Sequence, residues 1–219
     1  MKNINWLDHG VNLIVVFIGI TAAFGLNTCN ENSKAKDLEV LHLKSLRGDL
    51  EENIDELDTL IHFDSLKMKL FNRVVNAEFI KNPHNDSLRN ALLDLSFNLP
   101  FTPQSSTYDA LQASGTLDLI SNFNLRTDII SHYNQYYVGT ELWDAQIQKY
   151  IDDYCSPYIF EEVNYYGQQV DPSFIEDYKF QKIVWGYKLS LASKIDFFQK
   201  TLVATKALDL KIRNELERL

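Results

Sequence analysis

From Gly10 to Thr28 the chain carries no charged residue. This run, GVNLIVVFIGITAAFGLNT, is nineteen residues long, close to the roughly twenty a helix needs to cross the hydrocarbon core of a bilayer. Trp6 precedes it, where an amphipathic ring favours the interface, and Asn27, Asn30, Glu31 and Asn32 follow. Both ends are therefore polar. A cleaved signal needs a basic start and a small-residue cut site. Here Lys2 is balanced by Asp8, and Ala22 and Ala23 run on into Phe24. A lipidated Cys29 is disfavoured by Asn27 and Thr28 beside it. The sequence thus predicts an uncleaved signal anchor over 1–33, with the membrane lipid bilayer as its first partner, and a second unit over 34–219.

Within the run, Gly19 and Ala23 are four apart, as are Thr21 and Gly25. Small residues at that spacing let helix backbones approach closely. Asn12, near the first turn, can bond to a partner helix or sit at headgroup depth. Gly19, Ala23, Gly25 and Asn12 are the candidates for helix packing in the membrane.

The first proline is Pro83, so no proline interrupts the preceding chain. From Lys34 to about Asn76, Leu43, Leu46, Leu50, Ile54, Leu57, Ile61, Met68, Phe71 and Val75 form a helical stripe. A helix of that length extends roughly 60 Å and can continue directly from the apolar run. The acidic stretch from Asp49 to Asp58 reads as its solvated face. A short helix is predicted over about 87–97, capped by Asn85 or Asp86. NLPFTPQSS reads as a turn. STYDALQASG reads as another short helix, with Ser106 as cap, Asp109 answering it, and Gly115 as a left-handed stop.

Asn122 then caps a helix from about Phe123 to Tyr154 that ends near Pro157. Its stripe is Ile130, Tyr133, Tyr137, Thr140, Asp144, Ile147, Ile151 and Tyr154. NYYGQQVDP reads as a loop. The last helix follows Pro172, with Phe180, Val184, Tyr187, Leu191, Ile195, Phe198, Leu202, Thr205, Leu208, Ile212 and Leu216 on one face. The expected fold is all-α: an N-terminal transmembrane helix, then an antiparallel bundle of three long and two short helices.

A formal net charge of -9 repels phosphate backbones, so nucleic acid is excluded as a partner. Cys29 and Cys155 have no metal-type or disulfide spacing, and the five histidines are scattered. No phosphate loop or HExxH motif occurs, so neither a catalytic residue, a metal nor a cofactor is expected. His132 reads as a satisfied, partly buried side chain. Tyr133, Tyr136, Tyr137 and Trp143 form either a ligand cleft or bundle core plus a partner face.

Two stretches carry a family resemblance. The apolar N-terminal segment with NEN, and the pattern filled by Ser106, Thr107, Tyr108, Leu111, Ser114, Gly115, Leu117, Leu119, Ile120, Leu125, Arg126 and Tyr133, resemble an uncharacterised family of small membrane proteins common in Bacteroidota. The chain departs from it at Asn12, where members often carry an acid, and at Cys29, where they carry Trp. The resemblance implies a single-pass inner-membrane protein with a helical periplasmic domain, and no reaction. Ser106, Asp109, Gly115 and Arg126 are then structural residues of the motif. The expected function is a non-enzymatic scaffold or accessory subunit, a homo-oligomer or part of a membrane-protein complex. The alternative is a ligand-binding or sensing domain whose Tyr-rich cleft signals through a partner.

Overall fold

With proline absent before position 83, backbone hydrogen bonding meets no early interruption, and helix α1 runs unbroken from Trp6 to Val75. The computed structural model describes the backbone of residues 6–76, 85–163, 165–166 and 169–219, and the side chains of residue 17 and of 31–76, 88–163 and 170–219. The side chains of Asn12, Gly19, Ala23 and Gly25 lie outside the described residues, as do those of Asn85 and Asp86. Among the described residues, no helix is long and apolar enough to cross a membrane.

The short helix α2 covers Asn85–Leu95 and α3 covers Ser106–Ser114. A third long arm follows: α4 (Phe123–Ser131), a π turn (His132–Tyr137), α5 (Val138–Tyr150), a second π turn (Ile151–Cys155) and α6 (Ser156–Glu162). The arm does not stop near Pro157. That proline stands in the first turn of α6, where its missing N–H costs least, and the wider π turn before it takes up the offset. NYYGQQVDP is likewise not a plain loop: β1 (Tyr165–Tyr166) pairs antiparallel with β2 (Gln169–Val170), Tyr165 opposite Val170. A 3₁₀ turn at Pro172–Glu176 separates this ribbon from α7 (Tyr178–Arg218). Asp177 stops the turn and starts the helix, accepting from the Lys179 N–H at 2.9 Å and from the Tyr158 hydroxyl at 2.6 Å.

Helices α1 and α7 are antiparallel. Arg47 bonds Asp209 at 3.0 Å, Lys206 bonds Asp58 at 3.2 Å, and the Phe71 and Tyr187 rings meet edge to face at 5.3 Å. The third arm closes the bundle. Gly139 on α5 receives the Phe197 ring of α7, and Gly186 on α7 receives the Tyr150 ring and hydroxyl of α5. Two small residues thus each accept an aromatic from the facing helix. Among the described residues the secondary structure is helical apart from the short ribbon, with three long arms and two short helices as the periodicity predicts.

The core is two clusters. One gathers Leu43 to Leu60 of α1, Phe101, Tyr108, Ile129, Tyr133, Tyr137 and Phe198 to Ile212 of α7. The other gathers Phe71, Val74, α2, Ile147 to Val163, and Phe180 to Leu191. On each long arm, buried polar residues sit where one cluster ends and the other begins: Asp64 and Lys67, Thr140 and Asp144, and Lys194.

Candidate functional site

That polar belt gathers buried charged groups from the three arms. The Lys194 side chain is fully buried. Its ammonium donates to Asn98 Oδ1 at 2.9 Å and to the Leu99 carbonyl at 3.1 Å, and contacts Asp144 Oδ1 at 2.8 Å and Asp64 Oδ2 at 3.2 Å. Asp64 Oδ2 makes this ionic contact without a hydrogen bond. Asp144 also accepts from the Phe101 N–H at 2.8 Å and the Asn98 amide at 3.3 Å. Lys67 donates to the Phe97 carbonyl and lies 3.4 Å from the Tyr187 hydroxyl. Burial brings the Lys67 ammonium down to about 8. Burial likewise raises the Asp64 carboxyl above the usual carboxylate range, against the pull of Lys194. Two ammonium groups and two carboxylates balance in charge, as buried ions must.

The belt draws the 97–101 segment into the bundle, and the acidic face of α1 holds residues 102–107. Asn53, fully buried, donates to the Gln104 carbonyl at 3.0 Å and the Tyr137 hydroxyl at 2.9 Å, and accepts from the Gln104 N–H at 2.6 Å. Glu56 accepts from the Thr102 N–H at 3.2 Å. Asp49 accepts from the Thr107 N–H at 3.0 Å. The run from Asp49 to Asp58 is therefore more than a solvated face: it supplies acceptors to backbone N–H groups of this loop.

Asp49 also corrects the capping assignment. Ser106 is the first residue of α3, not its cap; Ser105 stands at the cap position and makes no side-chain cap bond. The Ser105 hydroxyl instead donates to Asp109 Oδ2 at 2.6 Å, so the pairing expected between Ser106 and Asp109 falls one residue earlier and joins two side chains. The α1 carboxylate takes the orphan N–H in place of a local hydroxyl. Gly115 does end α3 in the left-handed region, at φ 70° and ψ 18°, its N–H bonding back to Gln112 and Leu111. Asn122 caps α4, accepting from the Leu125 N–H at 3.2 Å.

Arg126 bonds the Asp118 carboxylate at 2.8 Å and lies 3.4 Å from the Asp118 and Ile120 carbonyls. The turn it holds is also fastened to both long helices. Buried Glu39 accepts from the Ser121 N–H at 2.7 Å and its hydroxyl at 2.9 Å, and buried Glu215 accepts from the Asn122 amide at 2.7 Å. Residues 105–126 are thus a clasp over the end of the bundle nearest the apolar run.

The tyrosines divide. Tyr133 and Tyr137 are buried, whereas Tyr136 and Trp143 are partly buried and pack on the core. The Tyr108 and Tyr133 rings stack at 4.2 Å, and Tyr137 meets Tyr133 edge-on at 5.0 Å. His132 is buried, and its Nε2 lies 3.2 Å from the Thr205 hydroxyl; burial pushes its pKa down to about 4. A cleft of about 180 Å³ borders Tyr133 and Tyr137, and Tyr136 lines two grooves against α7, of about 420 and 340 Å³. Among the described residues, no three His, Cys, Asp or Glu side chains are placed to hold a metal ion.

Lys194 and Lys67 escaped the sequence reading. Lys194 adjoins Ile195, which already satisfied the stripe; Asp64, where the α1 stripe lapses between Ile61 and Met68, and Asp144 within its own stripe are the polar residues on those faces.

No curated protein and no solved structure matches the chain. One family matches residues 12–160, from the apolar run through the clasp and most of the third arm. The chain belongs to this family of unknown function, DUF6090.

Proposed function

We propose that the chain is a membrane-anchored scaffold or accessory subunit: a single-pass inner-membrane protein whose bundle stands on the periplasmic side and works through protein–protein contacts, without catalysis. The observation that carries this reading is the continuity of α1. One helix bears the uncharged run at its start and the belt and both core clusters along its later turns. A hydrophobic run of that length suits a bilayer, and an unbroken helix leaves no flexible joint between anchor and bundle. The belt supports it too. Lys194 links the carboxylates of two arms, Asp64 on α1 and Asp144 on α5, a pattern that suits groups fixing helix register. Gly19 and Ala23 give the anchor a surface for self-association.

Cysteine crosslinking tests it. In a variant lacking Cys29 and Cys155, single cysteines at Ile20 or Ala23 should crosslink in membranes, or the detergent-extracted chain should retain a stoichiometric membrane protein. A chain monomeric at both positions and extracted alone contradicts the scaffold reading.

A further inference from the structure

Between α3 and the first π turn lies the cleft of about 180 Å³, with Tyr133 at its floor and Asp109, Gln112, Asn134 and Glu141 among its lining residues. We propose that it is a binding site for an alkylammonium or guanidinium group, carried by a free amine or by a basic side chain of another protein. Tyr133 is only 5% exposed, and its hydroxyl, closed off from solvent, has no hydrogen-bond partner. Buried phenols normally find one. Its neighbours do: Tyr137 accepts from Asn53, and Tyr108 lies 3.4 Å from the Asn134 amide. The unpaired hydroxyl is thus specific to this cleft.

The sign of the ligand follows from the lining. Two carboxylates, Asp109 and Glu141, stand at the rim, both exposed, and no basic side chain lines the cleft among the described residues. Asp109 already accepts from the Ser105 hydroxyl at 2.6 Å. Burial opposes ionisation of Tyr133, and the nearby Tyr137, Asp49 and Asp109 add to it. The phenol therefore stays neutral, with lone pairs to offer a donor, and the stacked rings add negative faces. A chain of net charge -9 also draws cations from solution. The cleft's size suits one headgroup rather than a ring system. The hydroxyl is closed to solvent, so a ligand reaches it only by displacing side chains of the lining. The site is independent of the anchor and of the scaffold reading.

The test is a ligand-observed NMR titration of the full chain in detergent micelles, with ethylguanidinium and n-butylammonium as probes and propylurea as the uncharged control. Both cations should bind saturably and compete, and propylurea should not. Glu141→Gln and Tyr133→Phe should each weaken binding about tenfold, the effect of losing one charge-assisted contact. Tyr133→Phe should leave the thermal midpoint unchanged or higher, since its hydroxyl bonds to nothing, which separates lost binding from lost fold. A Gly-Gly-Arg-Gly-Gly peptide binding more tightly than ethylguanidinium assigns the cation to another protein; equal or weaker binding assigns it to a free amine. Failure of both cations to saturate, equal binding of propylurea, or unaltered binding in both variants overturns the site.

Discussion

At the scale of single residues, two buried groups set how the chain responds to pH and substitution. His132 is held neutral, with its folded pKa at about 4 below an ordinary value of 6.5. The unfolded chain therefore binds the proton first as pH falls. The stabilisation is fully present above pH 6.5 and is lost progressively towards pH 4, by about 3 kcal/mol in all. Urea denaturation at pH 7 and pH 5 should show this loss in the parent chain and a smaller one in His132→Phe. Lys194→Met removes a cation that touches both Asp64 and Asp144. It should cost about 3–5 kcal/mol by the same measurement, because two carboxylates are left without their shared partner in the core. That position was illegible in the sequence for a physical reason. A lysine beside an isoleucine on an amphipathic helix ordinarily keeps its ammonium in water, and only partners from α1, α5 and the 97–101 segment offset the cost of burying it. Asp144 was visible within its stripe, but its partners, drawn from other elements, were not.

At the scale of elements, the long stripes were legible because a 3.6-residue period is written locally, whereas the joints depended on neighbours. The stop at Gly115 could be read from the residue, since a left-handed C-cap favours glycine whatever surrounds it. The start of α3 could not, because its acceptor, Asp49, is 58 residues away. Asp49→Ala should therefore destabilise the chain by about 1 kcal/mol, the usual worth of a cap, and Ser106→Ala by much less. Hydrogen exchange at the Thr107 amide checks both: it should quicken in the first variant alone. The arm passed Pro157 because a π turn precedes it, a feature with no sequence period. Between α5 and α7 the reciprocal glycines set the spacing. An added methyl at Gly186 would overlap the Tyr150 hydroxyl, which itself bonds the Ile183 carbonyl at 3.1 Å. Gly186→Ala should cost about 1–3 kcal/mol, and much of that loss should vanish in a Tyr150→Phe background, as a double-mutant cycle on thermal midpoints will read.

At the scale of the whole molecule, three arms with two apolar clusters and one polar belt give a bundle whose register is fixed at its middle by charge and at one end by the 105–126 clasp. Asp64, Asp144 and the clasp fall within the segment shared with the family, residues 12–160, and Lys194 falls beyond it. The proposed function requires that the helix entering this bundle begin in a membrane. Alkaline carbonate washing of membranes from cells making the full chain tests it most directly. The chain should stay in the membrane pellet, and Val15→Arg combined with Ile18→Arg should release it. Recovery of the parent chain in the carbonate wash would mean that α1 does not begin in a bilayer.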